Sequence, residues 1–145
     1  TQEREFVRSK AAVIVERAGA ERARHSDPAG PRAAELNGEL VALLEAGKVA
    51  ERGALPVRYG RVAKATPETL DQSIDVVLMT GDGPHHVHPN GEIDLIMPID
   101  GAARFDGRPA GWLVCPPGSA HRPTVSQGRA LVLYLLPDGK IEFTR

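Results

Sequence analysis

Cysteine is almost missing from this chain. Cys115 stands alone, so no internal disulfide can form, and the composition suits a reducing compartment; a cytoplasmic location is expected. Charge of one sign is missing too. Eighteen Lys and Arg balance 19 Asp and Glu, with no basic tract, which argues against nucleic acid or an anionic membrane as partner. No apolar run is long enough to span a bilayer, and no secretory signal is visible. The first residue is Thr1, not Met, so the chain is expected to be trimmed, with room for a lost targeting segment. No glycine pattern of the dinucleotide- or phosphate-binding kind occurs. Internal repeats and low-complexity segments are absent as well.

What is present divides into two parts. The 145 residues suffice for one domain with a real core. Residues 1–52 read as a helical segment packed on the rest. Phe6, Lys10, Val13, Ile14 and Arg17 recur at helical spacing. A Pro- and Gly-containing linker, residues 26–32, follows. A second helix then carries Leu36, Leu40, Leu43 and Leu44 on one face, with Pro31 in its first turn and Gly47 at its stop. Residues 53–145 read as short strands separated by Gly, Pro, Asn and Asp. No helix there is long enough to cross over between parallel strands. The expected fold is therefore mainly β, an antiparallel sandwich or barrel preceded by two α-helices.

Three of the five histidines lie within four positions, in GPHHVHPNGEIDL, residues 83–95. Strand alternation puts His86 and His88 on one side and His85 and Val87 on the other. A three-residue loop, Pro89-Asn90-Gly91, predicts a hairpin in which His88 faces Glu92 and His86 faces Asp94. Two carboxylates left unpaired inside a barrel would be very costly, and a divalent cation resolves this. Imidazole nitrogens with a carboxylate oxygen suit Fe, Mn, Zn, Ni or Co. His121, after the Pro116-Pro117-Gly118 turn, is available as a fourth ligand. His25 and His85 read as ordinary polar residues, and Cys115 as a small apolar one.

His86-x-His88-x-x-x-Glu92 followed by Pro116-x-Gly118-x-x-His121 resembles the two cupin motifs. The resemblance implies a single jelly-roll barrel over the strand region and a metal held by His86, His88, Glu92 and His121. It departs in the loops: Gly81 lies five residues before His86, Gly101 comes late, and Val125 stands where Asn is usual. Asp94 is then free either to act as general acid or base, or to accept a proton from a ligand imidazole. Tyr134, the polar residue within ALVLYLLP, either packs in the core or lines the cavity. Any arginine facing the cavity would favour an anionic substrate; the candidates are Arg61, Arg104 and Arg122.

The segments VRYGRVAKAT, HHVHPNGEIDLIMP and CPPGSAHRPTVSQGRALVLYLLPDGKIEF resemble the 4-hydroxylaminobenzoate lyase family. That resemblance implies a small aromatic carboxylate substrate and an ammonia-releasing reaction that yields a dihydroxybenzoate, within nitroaromatic breakdown. Asp94 and Tyr134 are the candidate catalytic residues. Two other readings compete: a metal-dependent dioxygenase or isomerase acting on an aromatic or sugar acid, and a sensor that binds a small acid without converting it. An edge strand that needs covering leads to the expectation of a homodimer.

Overall fold

Two stretches of this chain are apolar at nearly every position, IDVVLM and ALVLYLL. A strand of that kind needs cover on both faces. The computed structural model describes residues 31–144 and shows how the cover is supplied. One α-helix, α1 (Pro31–Glu45), precedes β1 (Arg52–Ala54), β2 (Val57–Ala63), β3 (Gln72–Met79), β4 (His86–His88), β5 (Glu92–Pro98) and β6 (Arg104–Phe105). Then come β7 (Gly111–Cys115), β8 (Ser119–His121), β9 (Val125–Ser126), β10 (Ala130–Pro137) and β11 (Glu142–Phe143). The main sheet has the order β1-β2-β3-β10-β5-β7, antiparallel throughout. A three-stranded sheet, β11-β4-β8, and a two-stranded ribbon, β6-β9, form the opposing layer.

The main sheet separates two apolar clusters. On its outer face Ile93, Leu95, Met97, Leu131, Leu133 and Leu135 pack with Leu40 of α1, which is fully buried. Leu43 and Leu44 join from the same helical face. On its inner face Ile96, Val132, Tyr134 and Leu136 pack against Phe105 and Val125 of the ribbon. Period-two alternation along β5 and β10 sends neighbouring residues to opposite clusters.

The helix starts at Pro31, where a proline lacks the amide that the first turn would leave unbonded anyway. The last two residues of the expected 26–32 linker are thus helical. The rest of that linker and the helix expected over residues 1–20 lie outside the described residues. Gly47 ends α1 in a left-handed conformation, φ +71°. Its amide bonds Leu44 O at 3.0 Å and that of Lys48 bonds Leu43 O at 2.9 Å, satisfying the last carbonyls. The turn expected at Thr66-Pro67 is a short 3₁₀ helix, Pro67–Thr69. There the Thr69 hydroxyl reaches back, accepting from the Thr66 amide and donating to its carbonyl, both at 3.0 Å.

One expectation fails. The His86–His88 strand does not form a hairpin with β5. It pairs with β8 and β11, with His86 opposite His121, while β5 pairs with β10 and β7. The Pro89-Asn90-Gly91 loop turns the chain from one layer into the other. Gly91 adopts φ +89°, and a Cβ there would meet Cys115 O at 3.0 Å. The reason lies in burial. Every residue from Glu92 to Met97 is buried, whereas His85 and Val87 are partly exposed. A strand covered on both faces belongs in the middle of the main sheet, and a one-sided strand does not.

Candidate metal centre

The layer change brings four side chains together from three strands. β4 supplies His86 and His88, β8 supplies His121, and Glu92 enters from the first position of β5 in the opposite layer. Their ligand-type atoms all lie within 4.8 Å of one another. His88 Nε2 is 3.1 Å from Glu92 Oε2, and His121 Nε2 is 4.0 Å from the same oxygen. His86 Nε2 is 3.9 Å from Glu92 Oε1 and 3.1 Å from His121 Nε2. His86, His88 and Glu92 are each 1 % exposed.

The far side of each ring fixes its tautomer. His86 Nδ1 meets the Pro84 carbonyl at 3.2 Å, so it carries hydrogen. Ser119 donates its hydroxyl to Pro116 O at 2.6 Å, leaving its oxygen to accept from His88 Nδ1 at 3.0 Å. His121 Nδ1 donates to Asp106 Oδ2 at 2.6 Å. In the neutral rings, the form that binds a metal, all three Nε2 atoms then turn lone pairs toward the Glu92 carboxylate. Acceptors face acceptors, and His88 Nε2 and both Glu92 oxygens have no hydrogen-bond partner. Buried acceptors in that arrangement are costly unless a cation lies among them. The donor set fits one divalent metal, with three neutral imidazoles and a carboxylate. Burial, together with the neighbouring His121 and His88, outweighs Glu92 and holds His86 below the ordinary histidine range, in the neutral form that ligates.

Asp94 lies behind this set. It is fully buried, and its carboxylate comes within reach of Glu92 and Cys115. Burial first, and Glu92 second, push its carboxyl well above the usual range, so it keeps its proton. Burial likewise raises the Cys115 thiol, to about 12, which removes it as a nucleophile. The Tyr134 hydroxyl is raised by burial and then by Asp94 and Glu92. It lies 3.9 Å from Met79 Sδ.

A cavity of about 670 Å³ opens beside the cluster. His86 and Tyr134 line its inner part, with Val57, Val77, Met79, Ile141 and Phe143 along its walls. Of the arginines anticipated, Arg61 lines this cavity, paired with Asp75. Arg104 instead donates to the Gly101 and Ala103 carbonyls, and Arg122 to Gly83 O; neither lines the cavity. Two residues went unread in the sequence. Arg52 lines the cavity from β1. Asp106 holds His121 and also accepts from the Thr124 amide at 2.9 Å. Burial raises its carboxyl, but those two hydrogen bonds outweigh it and hold the group below its ordinary value. Asp106-Gly107 is legible as a turn, and Asp106 does adopt φ +49°, yet a turn signal says nothing about what the side chain meets.

Comparison with known proteins decides the family. Residues 9–143 match the family model described as PnbB, 4-hydroxylaminobenzoate lyase. The chain belongs to the 4-hydroxylaminobenzoate lyase family. Among curated members, the 4-hydroxylaminobenzoate lyase of Pseudomonas putida is 32 % identical over 59 % of this chain and 58 % of that protein. The enzyme of the same name from Nocardioides sp. (strain LMS-CY) is 32 % identical over 59 % of this chain and 56 % of that one. The chain thus spans somewhat over half the length of the curated lyases it matches. Its structural neighbours include an RmlC-like cupin protein from Ralstonia eutropha JMP134, at 13 % identity and TM-score 0.46, covering 63 % of this chain and 62 % of that one.

Proposed function

We propose that this protein is a metal-dependent lyase that converts 4-hydroxylaminobenzoate and water to protocatechuate and ammonia. One observation carries the reading: in a member of this family, three imidazole lone pairs and a buried carboxylate converge beside an apolar cavity large enough for a substituted benzene ring. The reaction balances without an external redox partner. One water enters, one ammonia leaves, and the nitrogen is reduced as the ring is oxidised.

His86, His88, Glu92 and His121 would hold the cation, which supplies Lewis acidity toward an oxygen of the substrate or of water. The chain's own groups handle protons. Tyr134 retains its hydroxyl proton and lines the cavity, so it can donate toward the departing oxygen. Asp94 holds a proton beside Glu92, away from the cavity lining, so that a second carboxylate charge is not placed next to the four ligands. The apolar walls, Val77 and Met79 among them, suit an aromatic ring.

The test is ammonia release from 4-hydroxylaminobenzoate by protein of known metal content, with protocatechuate followed in parallel. Equal amounts of both products, no oxygen uptake and loss of turnover after chelation are expected. Metal-loaded protein that releases no ammonia would remove this reading.

A further inference from the structure

The cavity beside the metal centre has its own charge pattern. Its ionisable lining consists of Arg52, Tyr59, Arg61, Asp75, His86 and Tyr134. Arg61 and Asp75 cancel one another: Arg61 Nε donates to Asp75 Oδ1 at 2.8 Å and its terminal nitrogen to Oδ2 at 3.2 Å. That pairing occupies one edge of the guanidinium and neutralises its charge. His86 is turned toward the Glu92 carboxylate, and the Tyr134 hydroxyl lies 3.9 Å from Met79 Sδ. Arg52 is left as the cation with no pairing partner among the described residues. It is exposed, on the edge strand β1, opposite Tyr59 in the β1–β2 ladder. His86, at the other extreme, is 1 % exposed. Between them the walls are apolar, with Val77 and Met79 from β3. The lining thus combines an exposed cation, Arg52, an apolar wall that suits a ring, and two buried polar residues, His86 and Tyr134.

We propose that Arg52, and not Arg61, is the specificity-determining residue: it receives the carboxylate of a para-substituted benzoate and thereby presents the opposite ring substituent to His86 and Tyr134. This deepens the lyase reading and rests on it for the identity of that substituent. The arrangement favours para over ortho acids, because a para substituent lies farthest from the carboxylate and can meet buried His86 and Tyr134 while the carboxylate stays at exposed Arg52.

The probe is 4-hydroxybenzoate, titrated calorimetrically into metal-loaded wild type, Arg52→Ala, Arg52→Lys and Arg61→Ala, with 4-hydroxybenzamide as uncharged control. Arg52→Ala is expected to weaken the acid roughly ten- to hundredfold, the range for a hydrogen bond to a charged group. Arg52→Lys should fall between, since it keeps the charge and loses the fork. The amide should bind wild type and Arg52→Ala alike. In turnover of 4-hydroxylaminobenzoate, KM should rise and kcat hold. Acid binding untouched in Arg52→Ala, lost in Arg61→Ala instead, or lost in parallel with the amide would each overturn the assignment, as would wild type that ignores the acid. Wild type that binds the acid through Arg52 yet releases no ammonia would sustain Arg52 and remove the lyase reading alone.

Discussion

The two faces of β5 differ more than any two separate parts of the molecule. Ile93, Leu95 and Met97 point outward into a cluster that is apolar in every member and closed by Leu40. Glu92, Asp94 and Ile96 point the other way. Ile96 meets Phe105 and Val132, and two positions earlier along the same face the lining becomes carboxylate and imidazole. All six side chains are buried. Burial alone therefore does not distinguish core from site; hydrogen-bond satisfaction does. The outer cluster leaves a single polar atom unsatisfied, Trp112 Nε1, whereas Glu92 and Asp94 have all four carboxylate oxygens without a hydrogen-bond partner. One strand carries stability on its odd residues and the site on its even ones. Substitutions one step apart should then move different observables.

The largest effect on folding is expected at Leu95→Ala. Leu95 is fully buried in the outer cluster, and truncating such a leucine costs about 2–5 kcal/mol through lost burial and the cavity left behind. Urea denaturation measures this, and metal bound per folded molecule should not change. Loss of metal at equal folded fraction would show that the two faces are not independent. Glu92→Gln should do the reverse. Metal retention should collapse, read by elemental analysis after dialysis against a weak chelator. The metal-free protein should gain about 1–3 kcal/mol, because a buried charge without hydrogen bonds is gone. A metal-free Glu92→Gln protein less stable than wild type would mean that the carboxylate is satisfied in a way the four acceptors facing one another do not allow.

The same comparison explains what could be read in advance. Strand positions were legible because runs such as IDVVLM and ALVLYLL lie between turn residues. The four convergent side chains were legible from their types and spacing, although the hairpin used to bring them together was the wrong pairing. His86 meets Glu92 across two layers rather than across a ladder. Local sequence allows either, since Pro89-Asn90-Gly91 suits a hairpin loop as well as a corner. Only the need to cover both faces of EIDLIM decides. Arg52 and Asp106 were out of reach for a related reason. Each belongs to a very short element, three residues in β1 for Arg52 and a turn after two-residue β6 for Asp106. Too few residues alternate there to reveal which side faces inward.

The smallest effect, and the one that most sharpens the contrast, concerns Asp94 in metal-free protein. Its native carboxyl is held well above the ordinary value, by burial first and by Glu92 next. The unfolded chain releases that proton in the ordinary carboxylate range. As pH rises through that range the unfolded state binds fewer protons than the native one, so stability falls. Above the native value the loss is complete. The titratable groups whose charge acts on Asp94, or on which Asp94 acts, are Glu92 on β5, Cys115 on β7, Tyr134 on β10 and Asp106 after β6. Asp106 is shifted the opposite way and contributes stability that is lost as pH falls, as does His86, whose proton affinity is lowered. Total stability against pH therefore mixes signs, and the difference between wild type and Asp94→Asn isolates one. Denaturation of the chelated proteins from about pH 4 to pH 8 should show Asp94→Asn gaining on wild type as pH climbs. Superimposable curves would mean that Asp94 ionises freely in the folded protein, and the inner face would then be no more demanding at Asp94 than the outer face is at Leu95.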